Sequence, residues 1–454
     1  MFRNVPRIAF IVLLSLNISM PADAQEHISS KDPLNQRCTE IAAEFSSNPP
    51  NINTLFSPHF LDSVPESQIR GLFRQYFEKY GRVVEVNEIK RSSDQHAVFE
   101  LTFAKGFQAQ VDLTINQTAP RLIEGLWIGV AAPIITTLDN LSTSFAGLKG
   151  KASFVVAKLN QAGETILASY HPGDILPIGS AFKLFVLGTL IRDIGAGERH
   201  WSDIVRLRNT WKSLPSGFLQ EWPNGSPLTL QTLATLMISQ SDNTAADVLI
   251  HVLGRKHVEE TMSLMGIRPD ESMKPFLTTR EMFLLKDKRS SASLDTYLAM
   301  NEPERRTYLK KVIAHENIKD ALPWDLTSNA PSAVDSLEWF ASSKDMTSAM
   351  AWIWRHTANA NTRPARDILA INPGIAFDRE LWPYVGFKGG SEPGVLNLTF
   401  LLQSKSKGWY VMSASWMNTG TAVDDERLAG LVTRAADLIN PDGGELSRQA
   451  IKRK

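Results

Sequence analysis

The chain has 454 residues, 43% of them apolar and 21% charged, with a formal net charge of zero. That length exceeds one typical domain, and the composition supports a sizeable buried core. The balanced charge lacks the basic signature of a nucleic-acid binder and gives an anionic membrane surface nothing to attract.

The first 24 residues stand apart. Arg3 and Arg7 make a basic start, Ile8 to Met20 is mostly apolar but too short to span a bilayer, and Ala22 and Ala24 are small residues placed for a cleavage site. This pattern predicts a signal peptide cut after Ala24. The mature protein would then be secreted or periplasmic and free of the membrane. Export leads to an oxidising compartment, yet Cys38 is the single cysteine, so no intramolecular disulfide can form. Cys38 reads as a small core residue rather than a lipid anchor or a nucleophile.

Residues 25–132 carry a small α+β pattern. Cys38 to Phe45 has helical spacing, and in Ser67 to Tyr80 the residues Ile69, Leu72, Phe73, Tyr76 and Phe77 fall on one stripe. Four strand-like runs come next: Val83–Ile89, His96–Phe103, Gln108–Ile115 and Arg121–Ile128. In the third, Val111, Leu113 and Ile115 alternate with polar residues, as in a half-buried antiparallel strand. Two helices before a four-stranded meander predict a cone-like fold of nuclear-transport-factor or ketosteroid-isomerase type, with no acid or base in it that suggests catalysis. Ala131-Ala132-Pro133 ends this region.

Residues 133–440 read as one large α/β unit. Ser153–Asn160 and Thr165–Tyr170 form a strand pair, a helix comes after Ser180, and Leu228–Gln240 is a helix ending at a Ser-Asp-Asn turn. Three antiparallel strands, Tyr384–Gly389, Leu396–Gln403 and Trp409–Trp416, precede a closing helix over Asp424–Leu438. Residues 441–454 form a polar tail. There is no internal repeat or low-complexity segment.

Chemistry enters at Gly179-Ser180-Ala181-Phe182-Lys183. Ser180 and Lys183 are three apart and share a helix face. A serine hydroxyl needs a base within hydrogen-bond reach, and a lysine serves if burial and neighbouring charge lower its pKa. The helix N-terminus also favours negative charge near Ser180. Ser-x-x-Lys alone is a weak signal, because Ser404-Lys405-Ser406-Lys407 matches it and lies in a turn between two strands. The second element is Ser241-Asp242-Asn243, led by the packed helix of Leu230, Leu233, Leu236 and Met237. By itself it could be an ordinary turn or N-cap. The third is Lys388-Gly389-Gly390-Ser391, which by itself could be a glycine-softened strand end. No histidine has metal-ligand spacing and no phosphate-loop or dinucleotide glycine pattern is present, so no cofactor is expected.

Taken together, in this order and in helix, loop and strand contexts, the three elements resemble those of the class A β-lactamases and penicillin-binding proteins. The run Met237-Ile238-Ser239-Gln240-Ser241-Asp242-Asn243-Thr244-Ala245-Ala246 is similar to that family in detail. The resemblance covers about residues 135–440. It implies a β-lactamase/transpeptidase-like fold, an antiparallel sheet flanked by helices plus an all-helical lobe. It also implies an active-site serine hydrolase whose partner is a small β-lactam or related acyl substrate. Ser180 would attack a carbonyl and form an acyl-enzyme, and Lys183 would take its proton. Ser241 would relay a proton toward the leaving nitrogen. Lys388 would place positive charge near a substrate carboxylate, and Asn243, Gly390 and Ser391 would contact the substrate. The backbone N–H groups of Ser180 and Ser391 would form the oxyanion hole, where losing a donor costs on the order of 3 kcal/mol.

Two departures stand out. Gly389 occupies the place where the family usually has Thr or Ser. The glutamate that activates the deacylating water in class A enzymes has no counterpart. The distance from Ser241 to Lys388 is longer than in class A, which predicts an insertion within about 270–325, around Pro275 to Glu281. Ala341 to Met346 resembles the start of the helix after the Ω-loop. Of Asp325, Asp335 and Glu338 ahead of it, Glu338 is the nearest carboxylate in type. A cone-like first domain, Lys-Gly-Gly-Ser-Glu-Pro-Gly at the third motif, and the absent glutamate are all similar to the β-lactamase-like protein of clavulanic acid biosynthesis. That implies acylation more readily than turnover. A D-alanyl-D-alanine carboxypeptidase or esterase, and a non-enzymatic β-lactam-binding or sensing protein, share the same Ser180 step and remain open alternatives.

Overall fold

The structure, a computed structural model, describes residues 32–49, 51–161, 163–214, 216–267, 273–287, 294–315, 330–406 and 408–440. The expected signal segment, Asp325 and the C-terminal tail lie outside them. Two compact units result: one from residues up to Phe99 with Asp112–Trp127, the other from Glu100–Val111 with residues from Ile128 onward.

The first unit begins with helices α1 (Pro33–Glu44), α2 (Ile52–Leu55), α3 (Pro58–Ser63) and α4 (Glu66–Tyr80). Asp32 caps α1 by accepting from Asn35 N at 3.0 Å, ahead of a proline in the first turn. Where two helices were expected there are four among the described residues. Both extra helices are too short to leave an amphipathic period, and α3 is signalled only by its Ser57 cap and Pro58. Strands β1 (Val83–Ser93), β2 (His96–Phe103), β3 (Phe107–Ile115) and β4 (Ile123–Ile128) form a meander in sequential order, of which Glu100–Val111 counts with the second unit. Cys38 is buried on α1, where desolvation pushes its thiol up to about 12. It therefore behaves as a small apolar residue.

The second unit contains β5 (Ala132–Pro133), α5 (Leu138–Ala146), β6 (Lys151–Asn160), β7 (Gly163–Tyr170), β8 (Leu176–Pro177), α6 (Lys183–Gly195), β9 (Ile204–Arg206), β10 (Pro227–Thr229), α7 (Leu230–Ser239), α8 (Asn243–Leu253) and α9 (Arg255–Leu264). It continues with α10 (Thr279–Lys286), α11 (Leu294–Ala299), α12 (Glu302–Lys311), β11 (Phe340–Ala341), α13 (Ser343–His356), α14 (Pro364–Ala370), β12 (Tyr384–Glu392), β13 (Val395–Ser404), β14 (Gly408–Met417) and α15 (Asp425–Ile439). The main sheet has the order β12-β13-β14-β6-β7. It joins strands from both ends of the unit, all paired antiparallel.

Both faces of this sheet are covered. Ala157, Leu401 and Val411 enter one core with α6, α7, α8 and α13. Their neighbours Val156, Leu402 and Met412 enter a second core with α5 and α15. Double burial explains why β13 is buried along almost its whole length, Asn397 and Thr399 included, whereas β3 alternates. Helix α6 is buried all round, from Leu184 through Ile191, and so serves as the fixed axis of the helical region.

Two sequence expectations need correction in this unit. Leu228 does not start a helix. Pro227–Thr229 pairs with β9, and the Thr229 hydroxyl then caps α7 by accepting from Thr232 N at 3.1 Å. Helix α5 was also missed: it is nine residues long and buries only Leu141 and Phe145. The segment expected to hold the insertion contains α10 to α12. Thr278 and Glu281 form the capping box that starts α10. Asp247 on α8 docks that start, accepting from Thr279 N at 2.7 Å and from Arg280 N at 2.8 Å. Among the described residues no helix is long and apolar enough to cross a membrane.

Candidate active site

The nucleophile candidate sits on a short 3-10 turn, Gly179–Phe182, that feeds directly into α6. Gly179 has φ +46°, a conformation that glycine adopts without steric cost. The turn is held on both sides by Trp339. Its carbonyl accepts from Ile178 N at 2.9 Å, and its ring stacks on Phe182 with centroids 3.9 Å apart. Ser180 is half-buried at the N-terminus of the buried helix, and Lys183, one turn later, is completely buried.

Lys183 Nζ lies 3.0 Å from Ser180 Oγ, 2.7 Å from Ser241 O, 3.1 Å from Ser241 Oγ and 2.7 Å from Asn243 Oδ1. Burial, reinforced by the Lys388 charge, pushes this amine well below the usual ammonium range. A neutral amine has two N–H donors and one lone pair. The Ser241 carbonyl and the Asn243 amide oxygen can only accept, so they take both donors. The lone pair is left for a hydroxyl proton, and Ser180 Oγ–H can supply it. The arrangement is that of a base poised on a serine.

The loop carrying Ser241 and Asn243 explains the Ser-Asp-Asn spelling. Asp242 is the N-cap of α8: its Oδ1 accepts from Ala245 N at 2.8 Å, and its Oδ2 accepts from Phe218 N and Leu219 N at 2.8 and 3.0 Å. Ser241 adopts φ +53°, a strained conformation for a residue with a Cβ, costing about 1–3 kcal/mol. It is held there by its neighbours. Ser216 Oγ donates to Ser241 O at 2.7 Å, Asp242 N to Leu236 O at 3.1 Å, and Asn243 N to Ser216 O at 3.1 Å. Asn243 Nδ2 donates to Leu214 O at 3.1 Å, which fixes the amide with its oxygen toward Lys183. Structural and chemical readings of this motif therefore hold together: the middle residue caps, and the outer two face the lysine.

Edge strand β12 supplies the third part. Lys388 is buried, donates to Ser241 Oγ at 3.0 Å and to Gly389 O, and is drawn down to about 7 by burial. A continuous chain thus runs from Lys388 through Ser241 and Lys183 to Ser180. The strand presses against the nucleophile turn. A Cβ at Gly390 would stand 2.1 Å from Ile178 O and 2.4 Å from Ser180 N, so only glycine permits this approach. Ser391 N lies 3.1 Å from where a Cβ on Gly179 would be, which brings it beside the turn that carries Ser180 N. At Gly389 a Cβ would meet the Phe387 ring at 2.7 Å and Asn397 O at 3.0 Å. A hydroxyl-bearing residue there would need Phe387 to move.

All seven residues singled out from the sequence, Ser180, Lys183, Ser241, Asn243, Lys388, Gly390 and Ser391, thus belong to elements that converge on one turn. Glu338 goes elsewhere. It is ion-paired with buried Lys286 at 2.6 Å, so the carboxylate closest in type to a deacylation base already has a cation. Asp335 is exposed. Among the described residues no carboxylate hydrogen-bonds Ser180 or Lys183. Ser216, Leu214 and Trp339 were not anticipated. Leu214 acts through its backbone oxygen and Ser216 lies in an aperiodic loop, neither of which leaves a pattern in the sequence.

In comparisons with known proteins, no curated protein matches the chain. A crystal structure of a beta-lactamase from Sphaerobacter thermophilus is similar at 21% identity and TM-score 0.46, covering 66% of this chain and 94% of that one. A representative class A beta-lactamase from Bacteroides cellulosilyticus is similar at 14% identity and TM-score 0.47, covering 67% and 95%. A beta-lactamase from Francisella tularensis is similar at 16% identity and TM-score 0.44, covering 66% and 98%. The Beta-lactamase enzyme family matches residues 134–372, more than half of the chain, a span that includes Ser180, Lys183, Ser241 and Asn243 and ends before Lys388. This chain is therefore a member of the beta-lactamase enzyme family.

Proposed function

We propose that the chain is exported after cleavage beyond Ala24, and that the mature protein is an active-site-serine hydrolase acting through an acyl-enzyme on β-lactams or related amides and esters. The observation that carries this reading is the set of four contacts around Lys183 Nζ, which leaves its lone pair for Ser180.

Ser180 Oγ attacks the substrate carbonyl as Lys183 takes its proton. The developing oxyanion rests between the N–H groups of Ser180 and Ser391, which the helix N-terminus makes favourable for negative charge. Ser241, within reach of both lysines, passes a proton to the leaving nitrogen. Lys388 attracts a substrate carboxylate. Asn243 keeps its oxygen on Lys183, and the second hydrogen of its amide nitrogen is available to a substrate carbonyl. Gly390 keeps strand β12 close enough to receive the bound acyl group. Residues 25–132 form a cone-like accessory domain ahead of the hydrolase domain at 133–440.

Deacylation is slow on this reading. Glu338 is engaged with Lys286, and among the described residues the hydrogen-bond partners of Ser180 and Lys183 include no carboxylate to activate water. The same observation favours a stalled acyl-enzyme, a β-lactam-binding or sensing role, as the second reading. Mature protein and Ser180→Ala are incubated with nitrocefin, a fluorescent penicillin and a short-chain p-nitrophenyl ester. Turnover by the wild type alone establishes the hydrolase, and a stable label absent from Ser180→Ala establishes the binder. Identical behaviour of both proteins on every substrate overturns the assignment.

A further inference from the structure

The second unit buries an ion cluster that the acyl-transfer chemistry does not use. Lys286, the last residue of α10, has no exposed side-chain surface. Its Nζ lies 2.6 Å from Glu338 Oε1 and 2.8 and 3.1 Å from the two carboxylate oxygens of Glu392. Glu338 is buried ahead of β11, and Glu392 closes β12 one residue after Ser391. One cation thus joins two chain segments more than fifty residues apart in sequence.

Those two segments are the walls of the nucleophile turn. Trp339, next to Glu338, accepts from Ile178 N and stacks on Phe182, so it grips the turn before and after Ser180. Beyond it, β11 pairs with β8, registering Phe340 with Pro177 and Ala341 with Leu176. On the other side Ser391, next to Glu392, brings its N–H beside Gly179, and Gly390 packs against Ser180 N. The gap between the oxyanion donors is set by how these walls are held together, and Lys286 is the group bound to both.

We propose that Lys286, bridging Glu338 and Glu392, is a positioning residue that clamps the two walls of the nucleophile turn and so presets the oxyanion hole for acyl transfer. The proposal rests on Ser180 being the nucleophile. Stability is a poor explanation for the cluster. Replacing a buried ion network by uncharged groups of similar volume is often neutral or stabilising, whereas removing one member leaves a buried charge uncompensated. Burial pushes the Glu392 carboxyl well above its ordinary range, with Glu338 adding to the rise and Lys286 opposing it.

The test is labelling by a fluorophosphonate, which needs an activated serine and an oxyanion hole but no particular acyl substrate. Wild type, Ser180→Ala, Lys286→Met and the triple variant Lys286→Met/Glu338→Gln/Glu392→Gln are compared, with thermal unfolding recorded for each. The triple variant removes every charge of the cluster, so it stays folded even if Lys286→Met alone does not. The expected result is wild-type-like melting of the triple variant with the limiting labelling rate lowered roughly 10- to 100-fold and the probe concentration for half-saturation little changed. A folded triple variant that labels at the wild-type rate overturns the clamp while leaving Ser180 in place. Equal labelling of wild type and Ser180→Ala overturns the nucleophile and the clamp with it.

Discussion

The chain contains the pattern Ser-x-x-Lys twice, and the two copies lead into opposite surroundings. After Lys183 comes a helix buried on every side, from Leu184 to Ile191, which carries the lysine into the interior, where it meets Ser180 and polar partners from the Ser241 loop. The other copy begins at Ser404, the last residue of β13, and runs into the turn before β14, with Lys405 and Ser406 exposed. An ordinary lysine is protonated at neutral pH, and Lys183 departs from that because burial and the Lys388 charge lower its proton affinity. Spacing alone therefore does not make a base.

Substitution separates the copies most sharply at the serines. Ser180→Ala is expected to abolish covalent labelling by a fluorescent penicillin, whereas Ser404→Ala should label at the wild-type rate. A gel of labelled protein reads both, and persistent label on Ser180→Ala would break the comparison outright. Lys183→Ala comes next. Removing a general base lowers rates by about 10²- to 10⁴-fold, so acylation should slow by that factor in stopped-flow traces while the protein stays folded. Near-normal acylation would assign the proton to another group.

Much of this site was legible in the sequence, and the limits are physical. Ser180, Lys183, Ser241, Asn243 and Lys388 stand out because each lies at a fixed place in a helix, a capped loop or a strand, and side-chain chemistry at element ends leaves a local signature. Trp339 and the Lys286 cluster stand out in nothing local. Their partners come from distant segments, Ile178 and Phe182 for one, Glu338 and Glu392 for the other. The short helices α2 and α3 escaped for a different reason: at four and six residues they do not run long enough for a helical period to repeat. The glycines fall between. Lys-Gly-Gly marked a softened strand end, but only the structure shows that Gly390 is required by the approach of Ile178 O and Ser180 N. Gly390→Ala should push β12 off the turn. The expected outcome is a loss of about 10²- to 10³-fold in acylation, the cost of one oxyanion donor, with overpacking costing about 1–3 kcal/mol in thermal unfolding. Unchanged kinetics would mean that the oxyanion pocket lies elsewhere.

The smallest expected effect is also the one that tells the two active-site lysines apart. On the proposed mechanism Lys183 is the base and must be neutral, so activity should fall as pH drops through its lowered pKa. Lys388 would act as a cation, and with burial drawing it down to about 7 its charge should be lost as pH rises through neutrality. A penicillin carries a carboxylate and a leaving nitrogen that needs a proton. A p-nitrophenyl ester carries no carboxylate, and its phenolate leaves without a proton. Acylation by the penicillin should therefore trace a bell with its alkaline limb near pH 7, while acylation by the ester should rise to a plateau. Bells of the same shape for both substrates would place the role of Lys388 on Ser241 and Lys183, through the chain of contacts that joins them, rather than on the substrate carboxylate.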